Sequence, residues 1–330
     1  MRLVLVGDVM LGRLVNDRLR EKPVEFVWGD TIPFFKSADA SVCNLECVIS
    51  DRGERREPSR KAFHFRTDSK NIEALTKAAI TAVTLANNHS LDFGPDALAD
   101  TLNSLDASGI KRAGAGADIR EASSAVYFKA SGVGVALMSF TDNEPGWEAT
   151  EKTPGVYYLP ADLNDPRTAT LMDKIREAKK KADLVIVSPH WGPNRGYRPV
   201  PGHIPLAHAM IDAGADIVFG HSCHVFQGVE LYRGRPIIYG AGDFIDDYAV
   251  DEVERNDESF VFIVETDGAR LQRLLLYPTM IIRFQARSAR GFLAEEIAIK
   301  MKTLSSELNT RLKWLEEESC LELDLSGLKT

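Results

Sequence analysis

The chain is poor in the features that mark several large classes of protein. It has four cysteines in 330 residues, too few and too unevenly spaced for a disulfide framework or a zinc ribbon. Cys43 and Cys47 flank Asn44 and Glu46, Cys320 stands alone, and Cys223 lies between two histidines, where it reads as a small buried residue rather than a ligand or a reactive thiol. No apolar run approaches membrane-spanning length. The opening Met1-Arg2-Leu3-Val4-Leu5-Val6-Gly7-Asp8 is too short for a signal-peptide core and lacks a small-residue cleavage site. The expectation is a cytoplasmic chain without a membrane partner. A basic excess is missing too: the formal charge is −8, which argues against a nucleic-acid partner, because a duplex backbone calls for a net basic surface. No Pro/Ser/Gly-rich linker, low-complexity tract or repeat divides the sequence. We therefore expect one large domain over residues 1–282, with a helical extension over residues 283–330 packed on it.

What is present is an alternation of buried strands and helices. Leu3 to Val6, Ala40 to Asn44, Thr81 to Leu85, Val133 to Phe140, Leu184 to Val187 and Asp216 to Phe219 read as short strands rich in Val, Ile, Leu and Ala. Between them fall helical patterns at Ser69 to Ala78, Pro95 to Ala107, Pro166 to Ala182 and Ile204 to Ala213, with Gly109 and Gly214 placed as C-terminal caps. That order predicts an α/β fold with much parallel pairing. Gly228 to Tyr232, Pro236 to Tyr239, Phe260 to Glu265 and Leu271 to Leu276 read instead as hairpin strands, which predicts a second, more antiparallel sheet beside the first. Phe292 to Glu318 reads as one or two amphipathic outer helices.

The residues that carry chemistry fall at strand ends. Asp8 follows the first strand; Asn44 and Glu46 close the second; Asn87-Asn88-His89 close the third; His190 closes the run ending at Pro189; His221 and His224 follow Phe219. In α/β sheets the carboxyl ends of strands form the ligand crevice, so these groups are expected to converge. Carboxylate, amide and imidazole donors together suit Mn, Fe or Zn better than copper or calcium. Six donors, Asp8, Glu46, Asn88, His190, His221 and His224, exceed one tetrahedral zinc and suit two neighbouring divalent metal ions. Such a pair lowers the pKa of a bridging water and neutralises substrate oxygens.

Several strings carry a family resemblance. They are Gly7-Asp8-Val9-Met10-Leu11-Gly12-Arg13, Asn44-Leu45-Glu46, Leu85-Ala86-Asn87-Asn88-His89-Ser90-Leu91-Asp92-Phe93-Gly94, Pro189-His190-Trp191-Gly192, and Asp212 through His221. In this order they resemble the CapA family of capsule or poly-gamma-glutamate synthesis proteins, a branch of the calcineurin-like metallophosphoesterases. The resemblance implies a four-layer αββα sandwich with a dinuclear site at one sheet edge. It implies that Asp8 and His224 hold one metal, that Asn88, His190 and His221 hold the other, and that Glu46 bridges. His89 would be the general acid, and we assign Asp92 to orient it. The chain departs from the wider pattern in placing two residues, Ser222 and Cys223, between its last histidines, and in having Asp243 where many relatives have asparagine. Asp243 is read as a turn cap.

Arg13, close to Asp8, is a candidate for binding an anionic substrate, and Trp191 for walling the pocket, although packing is the simpler role for the latter. His203 is a candidate rim residue, while His64 and His208 are read as structural. Arg52, Arg55, Arg56, Arg60 and Lys61 read as a solvated loop. The function expected is that of a metal-dependent hydrolase using a two-metal-activated hydroxide, with a phosphoester or a glutamyl polymer or peptide as substrate. Proton transfer at an α-carbon of a peptide and a non-catalytic part in capsule-polymer synthesis stay open beside it.

Overall fold

A computed structural model describes residues 1–55 and 61–325. Its strands explain themselves by alternation. In the Arg2–Val9 strand, Leu3 and Leu5 point into one core while Val4 and Val6 point into another. In the Leu184–His190 strand, Leu184 and Ile186 share the first of these cores, whereas Val185 and Val187 face a third. Period-two alternation with both faces apolar is what a sheet covered on both sides requires. Two sheets therefore meet across a common core, and each carries helices on its outer face.

One outer core takes Val15 and Leu19 from the Arg13–Glu21 helix and Leu98, Leu102 and Leu105 from the Gly94–Ala107 helix. The other takes Leu171 and Ile175 from Pro166–Lys179, and Leu206 and Met210 from His203–Ala213. This is the expected four-layer αββα sandwich.

The larger sheet has ten strands. From its centre to one edge Arg2–Val9, Ala40–Leu45, Ala82–Thr84 and Lys111–Ala113 run parallel. The smaller sheet has six, with Val133–Thr141, Leu184–His190, Ile217–Phe219 and Arg235–Ile238 parallel.

The antiparallel strands do not make the separate sheet that the sequence suggests. Glu258–Asp267 pairs antiparallel with Arg2–Val9 and with Arg270–Ile282, extending the large sheet, while Val229–Tyr232 pairs with Arg235–Ile238 in the small one. Hairpin chemistry specifies a neighbour in sequence; it does not say which sheet the hairpin joins.

The C-terminal stretch is also corrected. It is helical only over Phe292–Glu307, where Ala294, Ile297, Met301 and Leu304 pack into the core between the sheets. Leu312–Leu315 and Cys320–Leu323 then form a hairpin that joins the large sheet against Arg270–Ile282. Among the described residues no helix is long and apolar enough to cross a membrane.

Candidate metal centre

Glycines let the strand ends close on one another. A Cβ on Gly7 would lie 1.8 Å from the carbonyl oxygen of Gly242, and one on Gly220 would lie 2.1 Å from that of Tyr239. Because both positions are bare, Asp8 donates its N–H to the Gly242 carbonyl at 3.0 Å and sits in parallel register with Asp243. The extra residue between His221 and His224 is absorbed by left-handed backbone, with Ser222 at φ +100° and His224 at φ +56°. Such conformations are costly for non-glycine residues and cluster where a side chain must be aimed.

The two sheets meet at their carboxyl edges, and the expected residues converge there. His221 Nδ1 lies 3.2 Å from Asp8 Oδ1, and Asn88 Oδ1 lies 3.1 Å from His190 Nε2. Each pair joins a residue of the large sheet to one of the small sheet. Asn44 ties the pairs together: its Nδ2 donates to Asp8 Oδ1 at 2.8 Å and lies 3.4 Å from His190 Nδ1, while its Oδ1 accepts from Thr84 and Asn87.

A second corner gathers Asp8, Glu46, His224 and Asp243, each offering a ligand atom within 4.8 Å of the others. His224 Nδ1 is 2.9 Å from Asp243 Oδ1. All three carboxylates are buried, yet Asp8 Oδ2 and both Glu46 oxygens have no hydrogen-bond partner, while Asp243 shares a proton with the neighbouring buried Asp246. Unpartnered carboxylate oxygens in a dry interior are expensive, and a cation is the usual compensation. This donor set fits a divalent metal.

The electrostatics agree. Burial, reinforced by the charge of Asp8, pushes Glu46 well above the ordinary carboxyl range. Burial likewise raises Asp243. Burial acts on Asp8 in the same direction, but the adjoining His221, with the charges of His190 and His224, holds it below the usual range. The corner therefore resists carrying all its negative charge unaided. Burial lowers His190 to about 3 against the pull of Asp8, which keeps it neutral, the form in which imidazole binds metals.

His89 stands at the edge of this corner, its Nε2 3.7 Å from Glu46 Oε1. Its Nδ1 is 2.5 Å from Asp92 Oδ2, and its ring stacks on Phe65 at 3.8 Å. Asp92 also accepts from the Phe65 N–H at 2.7 Å and from Lys61 Nζ at 2.7 Å. Desolvation lowers His89 to about 4 despite Asp92, so the resting imidazole is neutral. With Nδ1–H on Asp92, the Nε2 lone pair faces the carboxylates.

Not every expected residue joins the site. Arg13 is held by Asp247 at 3.3 Å and lies over Phe63, 4.6 Å from its centroid. Trp191 is a packing residue: it is buried, donates to the Tyr239 carbonyl at 2.9 Å and stacks on His203 at 4.3 Å. His203 is thereby buried in the outer core and is not on a rim. His208 pairs with Glu230 at 2.8 Å, and His64 lies edge-on to Phe93. Cys223 is buried, with its Sγ on the Val225 carbonyl and its thiol raised by desolvation. Arg52 pairs with Asp100; Arg56 and Arg60 lie outside the described residues.

Three participants escape the sequence reading. Asn44 is visible in Asn44-Leu45-Glu46 but carries no part of its own there. Lys61 falls in the stretch that reads as a solvated loop, yet it reaches Asp92. Asp243 reads as a turn cap, although its place after Gly242, where asparagine is more usual, is the available signal.

A four-layer α/β sandwich whose sheet edges bring carboxylates, an amide and imidazoles into one buried cluster is a protein built around a metal-type site. The particular family follows from comparison. Residues 2–248 match the family model described as bacterial capsule synthesis protein PGA_cap, and the chain belongs to that family. A probable polyglutamine synthesis accessory protein of Mycobacterium tuberculosis is 33% identical over 324 residues, covering 93% of this chain and 83% of its own. The PGA biosynthesis protein CapA of Bacillus subtilis is 34% identical over 244 residues, covering 73% and 62% respectively. Among solved structures, a hypothetical protein from Thermus thermophilus matches with a TM-score of 0.50 at 15% identity, over 84% of this chain and 98% of that one. That likeness concerns the fold alone.

Proposed function

We propose that the chain is a metal-dependent hydrolase of the CapA type, acting on a glutamyl polymer or peptide or on a phosphoester. One observation carries the reading: a buried corner of three carboxylates and one imidazole in which Asp8 Oδ2 and both Glu46 oxygens accept no hydrogen bond. Asp8, Glu46, His224 and Asp243 would hold one divalent ion. Asn88, His190 and His221 would hold a second, with Glu46 between them. When bound, such ions supply Lewis-acid polarisation of a substrate oxygen and neutralise developing negative charge.

The chain's own residues do the rest. Asn44 fixes Asp8 and His190 relative to each other. Asp92, anchored by Lys61 and the Phe65 N–H, fixes the His89 tautomer, so that Nε2 is the atom through which a proton passes to or from substrate. Phe65 covers the ring and keeps water from it. A spare imidazole oriented by a carboxylate favours catalysis, since a structural metal needs neither. The name of the Mycobacterium relative, an accessory protein, favours instead a non-catalytic part in polymer synthesis.

Purified chain supplied with manganese should be assayed on phosphomonoesters, phosphodiesters and glutamyl peptides. Hydrolysis of one of them, abolished by chelation and by His89→Ala, supports the hydrolase reading. Metal binding without turnover of any of them supports the accessory one.

A further inference from the structure

A cavity of about 340 Å3 lies directly against His224, within the size range of small-ligand pockets. Phe63 and Tyr248 give it aromatic walls, and the Tyr248 ring is 5.0 Å from the His224 ring and 5.9 Å from Phe63. Its charged lining has both signs: Arg195 with Asp251 and Glu254. Among the described residues, neither the Arg195 guanidinium nor the Glu254 carboxylate makes a side-chain hydrogen bond or a close ion pair, and Arg195 acts on Asp251 only through its charge. Asp251 uses one oxygen to accept the N–H groups of Val253 and Glu254. Those bonds, with Arg195 nearby, hold its carboxyl below the usual range.

We propose that this cavity is the recognition subsite of the metal centre and takes the free amino end of a peptide, with a carboxylate against Arg195 and an ammonium against Glu254 and Asp251. The inference rests on the metal-centre reading and adds the substrate class to it. Charge decides the class. A phosphate dianion placed here would meet one guanidinium and two carboxylates, beside a corner that already holds three more. A group bearing one ammonium and one carboxylate matches both signs, its methylenes lie on the aromatic walls, and an ammonium is attracted to their faces. His224 at the inner end then places the next bond of the peptide beside the metal-type corner.

The test is calorimetric titration of the manganese-loaded full chain with L-glutamyl-L-glutamate, its N-acetyl derivative and inorganic phosphate, with the metal content of each sample measured. The dipeptide is expected to bind. N-acetylation and Arg195→Ala should each weaken it at least about tenfold, the usual weight of one charge-assisted contact. Glu254→Gln should narrow the gap between free and acetylated dipeptide. The proposal is overturned if the dipeptide fails to bind, if the acetylated form or the Arg195→Ala variant binds equally well, or if phosphate alone binds in an Arg195-dependent way. Protein that holds no metal but still binds dipeptide through Arg195 would overturn the metal-centre reading and leave only the peptide-binding assignment of the cavity standing.

Discussion

Replacing Glu46 by glutamine should stabilise the metal-free protein and remove most of its thermal response to manganese. Glu46 is buried with both oxygens unpartnered and stands within 4.8 Å of ligand atoms of Asp8 and Asp243. Two unit charges at that separation repel by about 3 kcal/mol at an effective dielectric near 20. Without metal the side chain is therefore either repelled or forced to keep a proton, and removing its charge should stabilise the fold by about 1–3 kcal/mol.

The size of the response follows from chain length. With about 2.1 cal/mol/K of unfolding entropy per residue, the chain gains roughly 0.7 kcal/mol/K, so about 3 kcal/mol moves Tm by about 4 °C. Metal at 100 times its dissociation constant stabilises by about 2.7 kcal/mol per site, so two sites should raise the wild type by about 8 °C. Glu46→Gln should start about 2–4 °C higher in chelator and gain little from manganese, because the carboxylate proposed to serve both ions is lost.

The sign with pH is fixed as well. Folded Glu46 keeps a proton that the unfolded chain releases above its ordinary value of 4.5, so metal-free stability falls as pH rises through that range. The variant should lose this slope. Differential scanning fluorimetry with chelator and with manganese reads every arm. An unshifted wild type, or an equal manganese shift in Glu46→Gln, would refute the reasoning.

Three further outcomes follow from particular contacts. His89→Gln should lower kcat on whichever substrate is hydrolysed by about 10²–10⁴-fold while metal content stays at the wild-type level, since His89 faces the donors without being one of them; elemental analysis beside steady-state kinetics checks both halves. Phe262→Ala removes a fully buried ring from the core between the sheets and should cost about 3–5 kcal/mol in urea unfolding, with a parallel loss of metal binding because both sheet edges shift. Asp68, lowered to about 2 mainly by its hydrogen bonds from Arg20, contributes stability above its unfolded value that is lost as pH falls toward 2. Asp68→Asn should flatten that acid limb by less than about 1 kcal/mol, because Arg20 is solvent-exposed.

The elements that were legible in the sequence are those whose signal is local. Leu3 to Val6 and Leu184 to Val187 declare themselves as doubly covered strands because every residue is apolar, and Asp8, Glu46, Asn88, His190, His221 and His224 declare themselves by ending such runs. What sequence could not assign was partnership at a distance. The pairing of Glu258–Asp267 with the first strand spans most of the chain, and nothing in a hairpin pattern says which sheet will receive it. The same holds inside the site. Asn44 matters because of where Asp8 and His190 arrive, and Asp243 matters because Gly7 and Gly242 let two strand ends touch. Trp191 invited a functional reading through its neighbour His190, yet it stacks on His203 in the outer core. Adjacency in sequence to a ligand is a weak guide on a strand end, where successive side chains point to opposite faces.

The central claim is that the convergent strand ends form a two-metal centre bridged by Glu46. Anomalous diffraction from crystals grown with manganese tests it directly. The account predicts two peaks about 3.5–4 Å apart, one among Asp8, His224 and Asp243, the other among Asn88, His190 and His221, with Glu46 between them. A crystal with no peak in that crevice, or with manganese bound only at other carboxylates, would contradict it.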